Sequence, residues 1–154
     1  MNTHFPIALH ALTLLAQAHE HLLTSEKMAE SVNTNPVFLR RVLKALKQAE
    51  IIETRRGAGG GIALTRPPSR ITLADVYRAI RAQKTLFVLH SEPNPDCGVG
   101  GNIQDVLSGY FEQAEQKLLQ HFERYSIRDI IFDLPENGVP VLPTLGLQRG
   151  TAAP

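Results

Sequence analysis

The 154-residue chain has one cysteine, two methionines and no tryptophan, and only 6% of it is aromatic. A lone thiol, Cys97, allows no disulfide within the chain and cannot supply the several thiolates that a cluster or a cysteine-held zinc requires. A reducing, cytoplasmic setting fits best. No apolar run approaches the roughly 18 to 20 residues that span a bilayer, and the first stretch, MNTHFPIALHALTLLAQAHEH, lacks a basic leader, so neither a membrane span nor a signal peptide is expected. A charge excess is missing too, since 16 Lys and Arg face 15 Asp and Glu. That balance hides a division. Residues 1–84 hold 12 basic and 6 acidic side chains, and residues 85–154 hold 4 and 9. The front half is a candidate for a polyanion and the back half is not.

What is present reads as helices with one interruption. Phe5, Ala8, Ala11, Leu12, Leu15 and Ala18 recur at spacings of three and four, which predicts a core-facing amphipathic helix. In LTSEKMAESV, Thr24 or Ser25 can cap a short second helix ending near Ser31. Asn35 followed by Pro36 is a strong helix start, and a third helix is expected to about Ala49. Leu39, Val42, Leu43 and Leu46 form one face of it, and Arg40, Arg41, Lys44, Lys47 and Gln48 the other. IIETR and GIALTR flank a glycine-rich tip at residues 56–61, the pattern of a hairpin. RPPSR breaks regular structure, and Thr72 can then cap a fourth helix with Leu73, Val76, Tyr77 and Ile80 on one side.

SEPNPDCGVGG is a loop by composition. After it, Ile103, Val106, Leu107, Tyr110, Ala114, Leu118, His121, Phe122 and Tyr125 hold a period near 3.6 over six turns. The front domain has a core of its own, so this stripe predicts a partner helix, most simply that of a second copy of the chain. A short capped helix in SIRDIIFDL and an irregular or disordered tail over 135–154 complete the expectation. The fold class is mainly α with a small β-hairpin wing plus a long dimerisation helix. The expected organisation is a winged-helix domain at 1–84, an effector loop and dimerisation helices at 85–134, and the tail.

Two helices joined by a short turn, the second basic on its outer face, followed at once by a glycine-tipped hairpin, make a winged helix-turn-helix. Each part alone is weak, because a basic helix face is usually just solvated surface and a glycine tip usually just a turn. Their order points to duplex DNA. The second helix of the pair fits a major groove, long cationic side chains meet phosphates, and Arg55 or Arg56 can enter a narrow minor groove beside Gly57. An enzyme's phosphate loop fits poorly: GAGGG lacks the G-x-x-x-x-G-K-[ST] spacing, and it leads into a strand rather than a helix N-terminus.

The stretches FPIALHALTLLA, LTSEKMAESVNTNPVFLRRVLKALKQAEIIETRRGAGGGIALTRPPSRITLADVYRAI and NPDCGVGGNIQDVL resemble the Rrf-two family of bacterial winged-helix regulators, which includes the IscR, NsrR and CymR regulators. The resemblance runs roughly over 5–134. It implies a homodimer on an inverted-repeat operator, with a recognition helix from Asn35 into Leu43 and with Arg56 and Gly57 at the wing tip; the DNA contacts expected from this part of the chain are Asn35, Val37, Phe38, Arg40, Arg41 and Lys44. It also implies that the long helices cross in the dimer through Ile103, Val106, Leu107, Tyr110, Ala114, Leu118 and Phe122. Arg40 stands at the family's usual base-reading position, and its geometry suits guanine O6 and N7. Iron-sulfur members carry three cysteines before the dimer helix. Here only Cys97 matches, and Gly100 stands where one subclass has a histidine ligand, so no cofactor or metal is expected and the chain looks more like the YwnA-type branch.

Cys97 has two readings. A few residues ahead of a long helix, its thiol would feel the positive end of the dipole and favour the thiolate, while Asp96 opposes this; that makes it a redox sensor responding to an oxidant. Otherwise it is a small residue packed at the hinge between domains. None of the six histidines shows a metal spacing, His90 beside Glu92, Asp96 and Cys97 being the least unfavourable. The sequence therefore reads as a homodimeric, non-enzymatic transcription regulator, a repressor, whose effector is thiol oxidation at Cys97 or a small molecule. The alternative from another class is a winged-helix module docking an acidic protein.

Overall fold

A computed structural model describes residues 3–18, 22–57, 60–81, 87 and 89–135. The expected tail beyond Pro135, His19, His21 and the boundary near Lys84 lie outside the described residues. Six α-helices and one hairpin follow in order: α1 His4–Gln17, α2 Ser25–Val32, α3 Pro36–Gln48, β1 Ile52–Arg55, β2 Gly61–Leu64, α4 Leu73–Arg81, α5 Ile103–Phe122 and α6 Ile127–Asp133. Residues in RPPSR form a 3-10 turn, Pro68–Arg70, before α4.

The start signals work as capping chemistry requires. Thr24, not Ser25, caps α2, its Oγ1 accepting from Lys27 N. Asn35 Oδ1 accepts from Val37 N at 2.8 Å, with Pro36 at the first helical position. Thr72 and Asp75 exchange side-chain-to-backbone bonds at 3.0 Å in both directions, and Ser126 with Asp129 repeats that box ahead of α6. Between α2 and α3 the chain turns through Asn33 at φ 51°, a left-handed conformation that asparagine tolerates.

Leu12, Met28, Leu39, Val42, Leu46, Ile51, Ile71 and Val76 are fully buried at the centre of the core. That core does not stop with the front helices. Ile127 of α6 has no exposed surface and joins the same cluster, with Ile130 and Ile131 packed against it. The backbone seals the junction: Ile127 N donates to Ile71 O and Leu73 N to Tyr125 O, both at 2.9 Å. Residues beyond 120 thus complete the hydrophobic interior of the front segment, which has no complete core of its own.

The hairpin is antiparallel with Ile52 opposite Leu64 and Arg55 opposite Gly61. It is anchored on its other edge as well, since Ile62 N donates to Leu23 O at 2.9 Å just before α2. Gly61 has to be glycine there. A Cβ on it would lie 2.7 Å from Leu22 Cβ and 2.9 Å from Leu23 O.

Candidate nucleic-acid interface

Helix α3 separates its two faces cleanly. Leu39, Val42, Leu43, Ala45 and Leu46 are buried, while Arg40, Arg41, Lys44 and Lys47 are exposed. Val37, at 56% exposure in the first turn, is an apolar side chain standing among cations. Phe38 goes the other way: it packs towards the core, its ring 4.4 Å from that of His4. Of the residues expected on the outer face, the structure brings Val37, Arg40, Arg41 and Lys44 together there and turns Phe38 inward.

Beside α3 runs a shallow groove of about 410 Å³ whose walls include Ser25 and Glu26 of α2, Arg40, Lys44 and Lys47 of α3, and Thr54 of the hairpin. The helix pair and the hairpin therefore border one groove, with the cations supplied by α3. At the tip, Gly57 has φ 108°, a conformation that L side chains rarely adopt, and Gly60 N closes the turn on Gly57 O at 2.9 Å. The two arginines left open by the sequence now differ. Nε and Nη2 of Arg55 both lie 2.9 Å from Glu53 Oε1, whereas Arg56 is exposed with no ion pair among the described residues.

Two acidic partners were not legible as such. Arg40 Nη2 donates to Glu26 Oε1 at 3.1 Å across the helix pair, and Ser25 Oγ donates to the same oxygen. The Glu26 carboxyl is held down to a pKa of about 2 by its backbone amide, by the Ser25 hydroxyl and by Arg40. Glu53 could have been found, because residues two apart on a strand share a face. Glu26 and Arg40 meet only through the packing of two helices.

Cys97 is exposed. Its thiol pKa is lowered, the direction that the sequence position suggested, because the backbone amides of Gly100 and Val99 in the turn favour the thiolate. Within the single chain the side chain is exposed, not enclosed between elements. The turn itself is tight, and a Cβ on Gly100 would come within 2.1 Å of Asn94 O.

Helix α5 has no buried apolar side chain; its one buried residue is Glu115. Val106 and Tyr110 are 52% and 65% exposed, Ala114 is exposed, and Ile103, Leu107 and Leu118 are half-buried. Phe122 departs from the expected stripe, because it packs within its own chain against Phe5 and Tyr77, with ring centres 5.3 and 5.9 Å away. Next to this aromatic group, Glu115 accepts from Tyr77 Oη at 3.2 Å and pairs with Arg81 at 2.8 Å. Burial, and then the Glu115 charge, raise the Tyr77 pKa, so the phenol stays protonated. No described helix is long and apolar enough to cross a membrane.

A family model described as "Rrf2: Iron-dependent Transcriptional regulator" matches residues 1–133. YwnA of Bacillus subtilis (strain 168), which bears the name of an HTH-type transcriptional regulator, is 37% identical over 131 residues, covering 85% of this chain and 96% of its own. A crystal structure described as that of a DNA-binding protein superposes with a TM-score of 0.67 at 36% identity, covering 84% of this chain and 99% of the other. IscR of T. potens shares the fold at a TM-score of 0.66 and 19% identity, over 92% of each chain.

Iron does not fit the donors present. Cys97 is the chain's single cysteine, no three His, Cys, Asp or Glu among the described residues could share an ion, and the turn at Gly100 has no room for a ligand side chain. The match over nearly all the described residues, the winged helix and relatives that are regulators rather than enzymes have one conclusion: the chain belongs to the Rrf2 (Rrf-two) family of DNA-binding transcriptional regulators.

Proposed function

We propose that the protein is a homodimeric repressor that binds an inverted-repeat operator and responds to thiol oxidation at Cys97. The observation that carries the DNA reading is the outer face of α3, where Val37, Arg40, Arg41 and Lys44 stand exposed above a buried apolar face. In this reading Arg40 meets guanine O6 and N7 in the major groove, Val37 lies near a thymine methyl, Arg41 and Lys44 neutralise phosphates, Asn35 caps α3 where the backbone comes close, and Arg56 beside Gly57 follows the minor groove. Arg55, tied to Glu53, takes the lesser part at the wing. Dimerisation is supported by Val106 and Tyr110, which α5 leaves uncovered. Repression follows most simply from a small dimer occluding the DNA on which it sits.

For Cys97, exposure together with two amides favouring the thiolate supports sensing. Attack of the thiolate on a peroxide forms an S–O bond and breaks the O–O bond, so that sulfur is oxidised to a sulfenic acid and hydroxide leaves. A small-molecule effector is the second reading. It is supported by a groove of about 480 Å³ lined by Ala45, Ala49, Ile51 and Ala79 together with Asp75 and its ion-pair partners Arg66 and Arg78.

The test is selection of a duplex from a random pool, followed by affinity measurements on reduced wild type, peroxide-treated wild type and Cys97→Ser. Binding that falls steeply with salt and is weakened by peroxide only in the wild type is the expected result. Selective binding that ignores peroxide in both proteins moves the effector to the second reading. Binding that is equal on all duplexes refutes the operator.

A further inference from the structure

The contact that neither the fold nor the sequence pattern called for is the one between Glu26 and Arg40. Fourteen residues apart, they meet across the helix pair at 3.1 Å, with Ser25 Oγ fixing the same carboxylate oxygen at 2.9 Å. Both side chains are more than half exposed, so the pair contributes little to folding. Its effect lies in orientation. A free arginine on a helix surface samples many rotamers, and over DNA it would pair with whichever phosphate is nearest. Arg40 is tied by one Nη2 hydrogen to a carboxylate that is itself fixed on the first turn of α2. Four of its five N–H groups remain available, enough for the two that guanine O6 and N7 accept.

We infer that Glu26 is a positioning residue for sequence selectivity, holding the Arg40 guanidinium over the groove floor and keeping it from the phosphate backbone. The inference rests on the reading of Arg40 at a base edge. The second α2 residue contributes in two ways. It restricts the rotamers of Arg40 before DNA arrives, so less ordering is left for the specific complex. It also puts a negative charge where a phosphate would otherwise approach Arg40, which raises the cost of off-register complexes more than that of the registered one. The depressed carboxyl pKa keeps that charge in place throughout the range where such a protein is assayed.

The experiment compares wild type, Glu26→Ala, Arg40→Ala and the double variant. Each is measured at one salt concentration on the selected duplex and on the same duplex with the guanine facing Arg40 changed to adenine. Loss of a negative charge should tighten binding to both duplexes, so the ratio of affinities is the readout. Glu26→Ala should lower that ratio about fivefold to tenfold while Arg40 is present, and leave it within about twofold when Arg40 is alanine, the coupling expected of residues that act through one contact. An unchanged ratio with Arg40 present, or an equal change in both backgrounds, overturns the inference and leaves Glu26 as a helix-end charge. If Arg40→Ala alone leaves the preference for guanine intact, the base-edge reading of Arg40 fails and takes this inference with it, whereas loss of preference in Arg40→Ala but not in Glu26→Ala sinks only the role of Glu26.

Discussion

Replacing Ile127 by alanine tests whether the last helix is part of the interior or a flap laid on it. Its side chain has no exposed surface, and it lies where α6 packs on α1 and the 3-10 turn before α4, with its own N–H bonded to Ile71 O. Truncation removes buried methyl and methylene groups and leaves a cavity that flanking backbone bonds prevent from collapsing. The expected cost is about 3 kcal/mol, within the ~2 to 5 kcal/mol range for isoleucine in a packed core. For a chain of this size, each kcal/mol shifts Tm by roughly 2 to 4 °C, so the midpoint should fall by about 6 to 12 °C. The assay is urea and thermal unfolding at one fixed chain concentration, because association would otherwise shift the midpoint. Arg128→Ala, an exposed position on the same helix, serves as the control and should change stability by about 0.5 kcal/mol or less. A loss below about 1 kcal/mol for Ile127→Ala, or a separate early transition for the C-terminal helices, would refute the claim that α6 completes the core.

Three further outcomes follow from local geometry. Asn35→Ala removes the acceptor for Val37 N and should cost about 1 kcal/mol in urea unfolding, with no measurable loss if water replaces that cap fully. Folding lowers the Glu26 pKa from 4.5 to about 2, so what stability its charge gives is present above 4.5 and lost as pH falls towards 2; because the side chain is exposed and screened by water, the gap between wild type and Glu26→Gln should be small and should narrow across that window, and a gap that widens as pH falls would contradict it. Alkylation of Cys97 by iodoacetamide should show a pH midpoint below the ordinary thiol value of 9.0, and a midpoint at or above it would remove the case for a favoured thiolate.

Local chemistry was legible wherever one residue and its near neighbours decide the outcome. The caps at Thr24, Asn35 and Thr72, the split faces of α3 and the glycine turn of the wing are all of this kind. What escaped is what only folding brings together. The Glu26 and Arg40 pair spans 14 residues and the Tyr77 and Glu115 bond 38, distances over which periodicity carries no information. The stripe expected on α5 left out Glu115, the one buried residue of that helix, and took in Phe122, which packs within the chain. Both errors share a cause: a 3.6-residue period marks which side chains share a face, not which neighbour covers them. The direction at the thiol was legible, but the Gly100 and Val99 amides that favour the thiolate belong to the shape of a turn, which composition does not give.

The attachment of α5 also sets a mechanical scale. Its only buried side chain, Glu115, and the aromatic contact of Phe122 both lie in its C-terminal half, so the helix is gripped near one end. From Glu115 back to Ile103 is about 18 Å of helix at 1.5 Å per residue, touched on the way by Phe87 stacked on Phe111 and by Gln104 Nε2 donating to His90 O, and a tilt of about 5° at Glu115 displaces its start by about 1.5 Å. The turn holding Cys97 is at that end. Small rotations of the helix about Tyr77 and Glu115 therefore correspond to larger travel at the turn that holds the thiol.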